Sequence, residues 1–157
     1  RSHLAAELAG RFTQLAKPTL LVDANLRRPS QNLLYAQDNQ QGLADAHAKD
    51  EDAHLHPVAP GDLMLITAGR SDSNPVELLS SDRFERLLGR WTERFDHIIF
   101  DSPPASEYPD AYALATIAGR ILPISRAHHT PMSASREMLR RLEGTRAETV
   151  GAVLGHF

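Results

Sequence analysis

The chain has 157 residues, enough for one domain with a sizeable core, and its 41% hydrophobic and 24% charged residues exclude a disordered chain. A formal net charge of −3 argues against general nucleic-acid binding, which needs a strongly basic face. Cysteine is absent, which excludes disulfides and thiolate metal sites and suits a reducing compartment, and no apolar run approaches the about 18 residues of a membrane-spanning helix.

The opening residues read as a helix, with Leu4, Leu8, Phe12 and Leu15 spaced to form one apolar face. No strand or turn stands ahead of that helix, so an earlier segment is expected to precede this numbering. Five apolar runs follow: "TLLVD" at 19–23, "LMLIT" at 63–67, "HIIFD" at 97–101, "RILPIS" at 120–125 and "VGAVL" at 150–154. None alternates cleanly between apolar and polar, so each is expected to be a strand covered on both faces, as in parallel sheets. Pro123 lacks an N–H to donate and predicts an edge or a bulge in the fourth run.

Between the first two runs, residues 36–61 are polar with scattered apolar positions and read as short helical turns joined by loops. Phe84, Leu87, Leu88, Trp91 and Phe95 mark a second helix, with Asp82 and Glu85 spaced as a capping box. "YPDAYALATIAG" at 108–119 predicts a third, closed by Gly119. Thr130 before Pro131 reads as the N-cap of a fourth, ending near Gly144. Strands alternating with helices predict an α/β fold, a mainly parallel sheet flanked by helices in a single domain over 1–157.

In open α/β sheets, ligands sit beyond the carboxyl ends of the strands. Asp23 and Asp101 end two of the runs there. In "IIFDSPP", Pro104 stands three positions after Asp101, the form of a Walker B motif, whose carboxylate supports a magnesium ion on nucleotide phosphates through water. The alternative is that each Asp caps the segment after it, as Asp does in turns. His54, His56, His128 and His129 form no closed ligand set, and Arg136, Arg140 and Arg141 read as a solvated helix face. No G-x-S-x-G elbow is present to support a serine hydrolase.

"LLVDANLRRP" at 20–29 resembles the Walker A′ motif of bacterial tyrosine kinases, the BY-kinases that regulate capsule and exopolysaccharide synthesis. Further pieces agree in order: "GLAD" at 42–45, "LITAG" at 65–69, "NPVELLSSDRFERLL" at 74–88, "FDHIIFDSPP" at 95–104 and "DA" at 110–111. The resemblance covers nearly the whole chain. It implies a P-loop NTPase of the deviant-Walker type, lacking its first strand and P-loop glycines within this numbering. Arg1 then stands in the place of the phosphate-binding lysine and Ser2 in that of the magnesium-binding hydroxyl. This is similar to the branch with a "GEGRS" loop associated with chain-length determinant proteins.

By the same resemblance, ATP and Mg2+ are the expected cofactors, with Ser2, Asp23 and Asp101 on the metal. Asp23, Asn25 and Asp101 are the expected catalytic positions, and Arg1, Ser2, Arg27 and Arg28 those that bind the nucleotide. A membrane-spanning chain-length protein (a polysaccharide co-polymerase) is the implied partner, and homo-oligomers occur in the family. The implied location is cytoplasmic, at the inner face of the membrane. Three departures stand out: Asn25 replaces the second Walker A′ aspartate, Gly155 replaces an asparagine after the last strand, and no tyrosine cluster follows Phe157. An amide cannot accept a proton at neutral pH, so slow phosphate transfer is expected, with Asn25→Asp raising the rate at least about tenfold. Two alternatives stay open: a weakened regulatory pseudokinase, and a partition- or placement-type ATPase, which usually carries a D-P-Q-like text where this chain has "LRRP".

Overall fold

The computed structural model describes residues 1–49, 52–70 and 72–155, so Phe157 lies outside the described residues. Contacts divide the chain into two compact units, Arg1–Pro103 and Pro104–Phe157. The first unit runs α1 (Ser2–Thr13), β1 (Thr19–Asp23), α2 (Gln31–Leu34), α3 (Leu43–Lys49), β2 (His56–Val58), β3 (Leu63–Ile66), α4 (Pro75–Leu79), α5 (Asp82–Thr92) and β4 (His97–Asp101). Its sheet has the order β2-β3-β1-β4, with β1 parallel to both β3 and β4 and β2 antiparallel to β3.

The alternation of strand side chains gives the sheet two covered faces. Leu21, Leu63 and Leu65 cluster with Ala9 of α1, and Ala5, Ala6 and Ile99 pack against them. Small residues on the buried side of α1 let the helix lie close to the strands. Phe100, one residue on from Ile99, points the other way and meets Phe84 of α5 with ring centroids 6.2 Å apart. Phe84, Leu87 and Trp91 are buried, as the spacing predicts.

Several expectations are corrected here. Leu15 is not on the face of α1: the helix ends at Thr13, the chain turns through Ala16 at φ 54°, and Leu15 is 67% exposed. The α5 cap sits one residue earlier than Asp82; Ser81 Oγ accepts from the Phe84 N–H, so Asp82 and Glu85 lie in the first turn near the positive end of the dipole. Residues 56–58, expected as loop, form β2. Pro57 is admissible there because β2 is an outer strand of the described sheet. β4 is the other outer strand, and His97 to Phe100 are half-buried rather than covered on both faces.

The second unit holds α6 (Asp110–Ala118), β5 (Arg120–Ile121), β6 (Ile124–Arg126), α7 (Met132–Glu143), β7 (Glu148–Thr149) and β8 (Val153–Gly155). Gly119 ends α6 at φ 74°, the left-handed conformation its lack of a Cβ permits. The run at 120–125 is broken at Leu122 and Pro123 into β5 and β6, which pair in parallel with β7 and β8. Pro131, not Thr130, is the N-cap of α7; Thr130 Oγ1 instead accepts from the Arg126 N–H at 2.9 Å. Arg140 and Arg141 both hydrogen-bond Glu137 at 2.8–2.9 Å and hold its carboxyl down to about 2. Those two cations are thereby occupied within a solvated ion network.

Candidate functional site

β1 and β4 run side by side in register, so Asp23 stands directly opposite Asp101 at their carboxyl ends. By alternation both acids lie on the face of Leu21 and Ile99, the face that α1 covers. They are 0% and 1% exposed. Burying two neighbouring carboxylates is costly unless something compensates them.

For Asp23 the turn after β1 supplies the compensation. Its Oδ2 accepts from the N–H groups of Ser30 and Gln31, each at 2.9 Å, and its Oδ1 accepts from the Asn25 N–H at 3.2 Å. Burial nevertheless pushes the Asp23 carboxyl up to about 6; the three amides oppose the rise and the charge of Asp101 adds to it. Asp23 therefore caps the start of α2 while lying beside a second acid.

The turn owes its shape to Asn25, which is 4% exposed. Its Nδ2 donates to the Arg28 carbonyl at 2.8 Å, and its Oδ1 accepts from the Arg28 N–H at 3.3 Å. Both ends of the amide thus close the 25–28 turn, which carries the chain back over Asp23. Arg27 and Arg28 are exposed on that turn.

Sequence reasoning missed Gln31, a fully buried residue. Its Nε2 donates to Asp101 Oδ2 at 2.8 Å and to the Ser2 carbonyl at 2.9 Å. One amide therefore ties the end of β4 to the first turn of α1, bringing Ser2 to the acid pair. Arg1 and Ser2 are half-buried at the start of that helix. A single polar residue between Ser30 and Asn32 leaves no periodic signal; only an unsatisfied Asp101 would point to it.

Asp101 Oδ1 is buried and accepts no hydrogen bond from the described residues. Buried carboxylate oxygens are normally paired, so this one fits a cation-bound water. Among the described residues no group of three or more His, Cys, Asp or Glu is placed to hold a metal ion. Two buried carboxylates suit a hard dication that keeps most of its ligands as water and phosphate oxygen, which is how Mg2+ binds at nucleotide sites.

No family model matches the chain. It is 34% identical to the tyrosine-protein kinase ptk of Acinetobacter johnsonii across 98% of this chain and 21% of that protein. It is 31% identical to the tyrosine-protein kinase YwqD of Bacillus subtilis (strain 168), across 98% of this chain and 66% of YwqD. The chain thus spans about a fifth of the first relative and just under two thirds of the second. Among solved structures, the chimerical protein CapA2B2 superposes with a TM-score of 0.93 at 25% identity, covering 99% of this chain and 70% of that one.

Proposed function

The chain belongs to the bacterial tyrosine kinase family, and from that premise we propose that the Asp23–Asp101 floor binds the phosphates of ATP with Mg2+ and serves phosphoryl transfer to tyrosine. The observation that supports this reading best is the pair of buried acids in register, with Asp101 Oδ1 lacking a protein donor. A magnesium ion bound there would supply positive charge to offset that of the phosphates. Asp101, through its open Oδ1, and the Ser2 hydroxyl would hold the ion. Asp23 lies beside them in the same network. Arg1, at the start of α1, binds phosphate through its guanidinium fork, and the exposed Arg27 and Arg28 offer positive charge to the nucleotide. The Asn25 amide takes no proton, so the site works chiefly by positioning and charge neutralisation.

The biological setting is part of the same proposal: control of exopolysaccharide chain length through a membrane-spanning partner at the inner membrane face. No helix among the described residues is long and apolar enough to cross a membrane. A second reading, a nucleotide-binding regulator with little transfer activity, is favoured by Asn25, whose amide is spent on its own turn. The test is Asp101→Asn in the full-length protein. It should fold normally yet lose at least about tenfold in Mg2+-dependent ATP affinity, a change of ~1.4 kcal/mol. An unchanged Mg2+ dependence overturns the phosphate-site reading. Tyrosine phosphorylation by the wild type, against ATP hydrolysis alone, separates a kinase from a partition-type ATPase.

A further inference from the structure

We propose that Gln31 is a positioning residue for Asp101, selecting which carboxylate oxygen is offered to the metal. The inference rests on the phosphate-site reading above and adds a residue that neither the Walker A′ nor the Walker B motif contains. Gln31 is fully buried, and its Nε2 spans two acceptors from separate elements, Asp101 Oδ2 at the end of β4 and the Ser2 carbonyl at the start of α1. With Oδ2 occupied, Oδ1 is the oxygen left open, and it is the one with no hydrogen-bond donor. Gln31 Oε1 is likewise buried and accepts nothing from the described residues, a second acceptor for water at the same place.

The choice of an amide has a physical reason. A side chain that fixes a metal-holding carboxylate must donate a hydrogen bond without neutralising its charge. Arginine or lysine in this place would compete with Mg2+ for Asp101, an apolar residue would leave the carboxylate free to rotate, and an acid would repel it. Glutamine donates, carries no charge, and has the length to reach both acceptors. It is itself anchored, because its own N–H is held by Asp23 Oδ2 at 2.9 Å. Asp23, Gln31 and Asp101 therefore form a chain of hydrogen bonds in which each acid is oriented by the residue that starts α2.

The test uses the full-length protein, with a fluorescent ATP analogue titrated at rising Mg2+ and again in EDTA. Gln31→Met keeps length and volume but removes the donor; Gln31→Asn keeps the amide but is one methylene too short to span both acceptors. Both should lose at least about fivefold of the Mg2+-dependent gain in affinity while affinity in EDTA stays within about twofold, a split that general destabilisation would not produce. If Gln31→Met fails to fold, the Asn variant alone decides. If Asp101→Asn loses the Mg2+ dependence while the Gln31 variants keep it, the role of Gln31 is wrong and the phosphate site stands. If the wild type itself shows no Mg2+ dependence, both readings fall together.

Discussion

Two places at the carboxyl ends of neighbouring strands differ in how their polar groups are satisfied. Beyond β3, residues 67–70 are closed by backbone and side-chain partners. Leu43 and Ala44 donate to the Thr67 and Ala68 carbonyls at 2.8 and 3.0 Å, Asn39 bonds both the N–H and the carbonyl of Gly69, and Asp45 Oδ2 accepts from Gly42 and Arg70. Only the Thr67 hydroxyl is left over among the buried side-chain atoms described there. Beyond β1 and β4, two acids are buried together, and among the described residues four buried side-chain oxygens, on Ser30, Gln31, Asn32 and Asp101, have no hydrogen-bond partner. Proteins rarely leave such groups unpaired without a reason. The first place is closed by the fold; the second is where we propose that the nucleotide binds.

The largest effect expected is in the closed place. A Cβ on Gly42 would lie on the Gly69 amide nitrogen and the Thr67 carbonyl oxygen, and 2.6 Å from the Ala68 carbonyl carbon. These are backbone atoms with nowhere to move. Gly42→Ala should cost at least about 3 kcal/mol, the upper range for overpacking, read as a fall in the urea midpoint. A loss under about 1 kcal/mol would show that this region is looser than its hydrogen bonds imply.

The open place should reveal itself through pH. The Asp23 carboxyl is raised from 3.8 to about 6 on folding, chiefly by burial. A raised value means the folded state favours the protonated form. Its stabilising contribution is therefore complete below about pH 4 and is lost as pH rises through about 6. A rise of that size is worth at most about 3 kcal/mol. Urea unfolding without nucleotide should show this loss between about pH 4 and 7 in the wild type and not in Asp23→Asn, once the background slope shared by both is subtracted. Equal slopes would mean that Asp23 is not held as an uncomfortable acid.

Much of this contrast is legible in the sequence and part is not. The runs ending in Asp23 and Asp101 announce both strands and both acids, because an apolar stretch that stops at a charge is a strong local pattern. The ends of α6 and α7 are marked by Gly119 and Gly144. β2 is hidden because an outer strand of three residues, with a proline in the middle, has too little period to stand out from a polar stretch. Leu15 misleads about the buried face of α1 because the helix stops at Thr13 before reaching it, while Ala5, Ala6 and Ala9 are the residues that meet the sheet. Gln31 is invisible because its task depends on Ser2 and Asp101, which come near it only when the chain folds.

The smallest effect expected belongs to Asn25, where sequence and structure point in different directions. From the sequence, restoring a carboxylate should add a proton acceptor and raise phosphate transfer at least about tenfold. The structure shows what the amide already does: Nδ2 donates to the Arg28 carbonyl at 2.8 Å while Oδ1 accepts from the Arg28 N–H. Aspartate can keep the acceptor half and must give up the donor half, placing a carboxylate oxygen against a carbonyl. Loss of that bond should cost about 1 kcal/mol in stability. A carboxylate retained by the Arg28 N–H would face the turn rather than a substrate hydroxyl, and a base out of reach contributes little. Asn25→Asp is therefore expected to lower the urea midpoint modestly and to change autophosphorylation in the full-length protein by less than about tenfold. A larger gain would mean that the new carboxylate leaves its turn for the reacting hydroxyl, and that the amide had been a block to catalysis rather than a brace for the site.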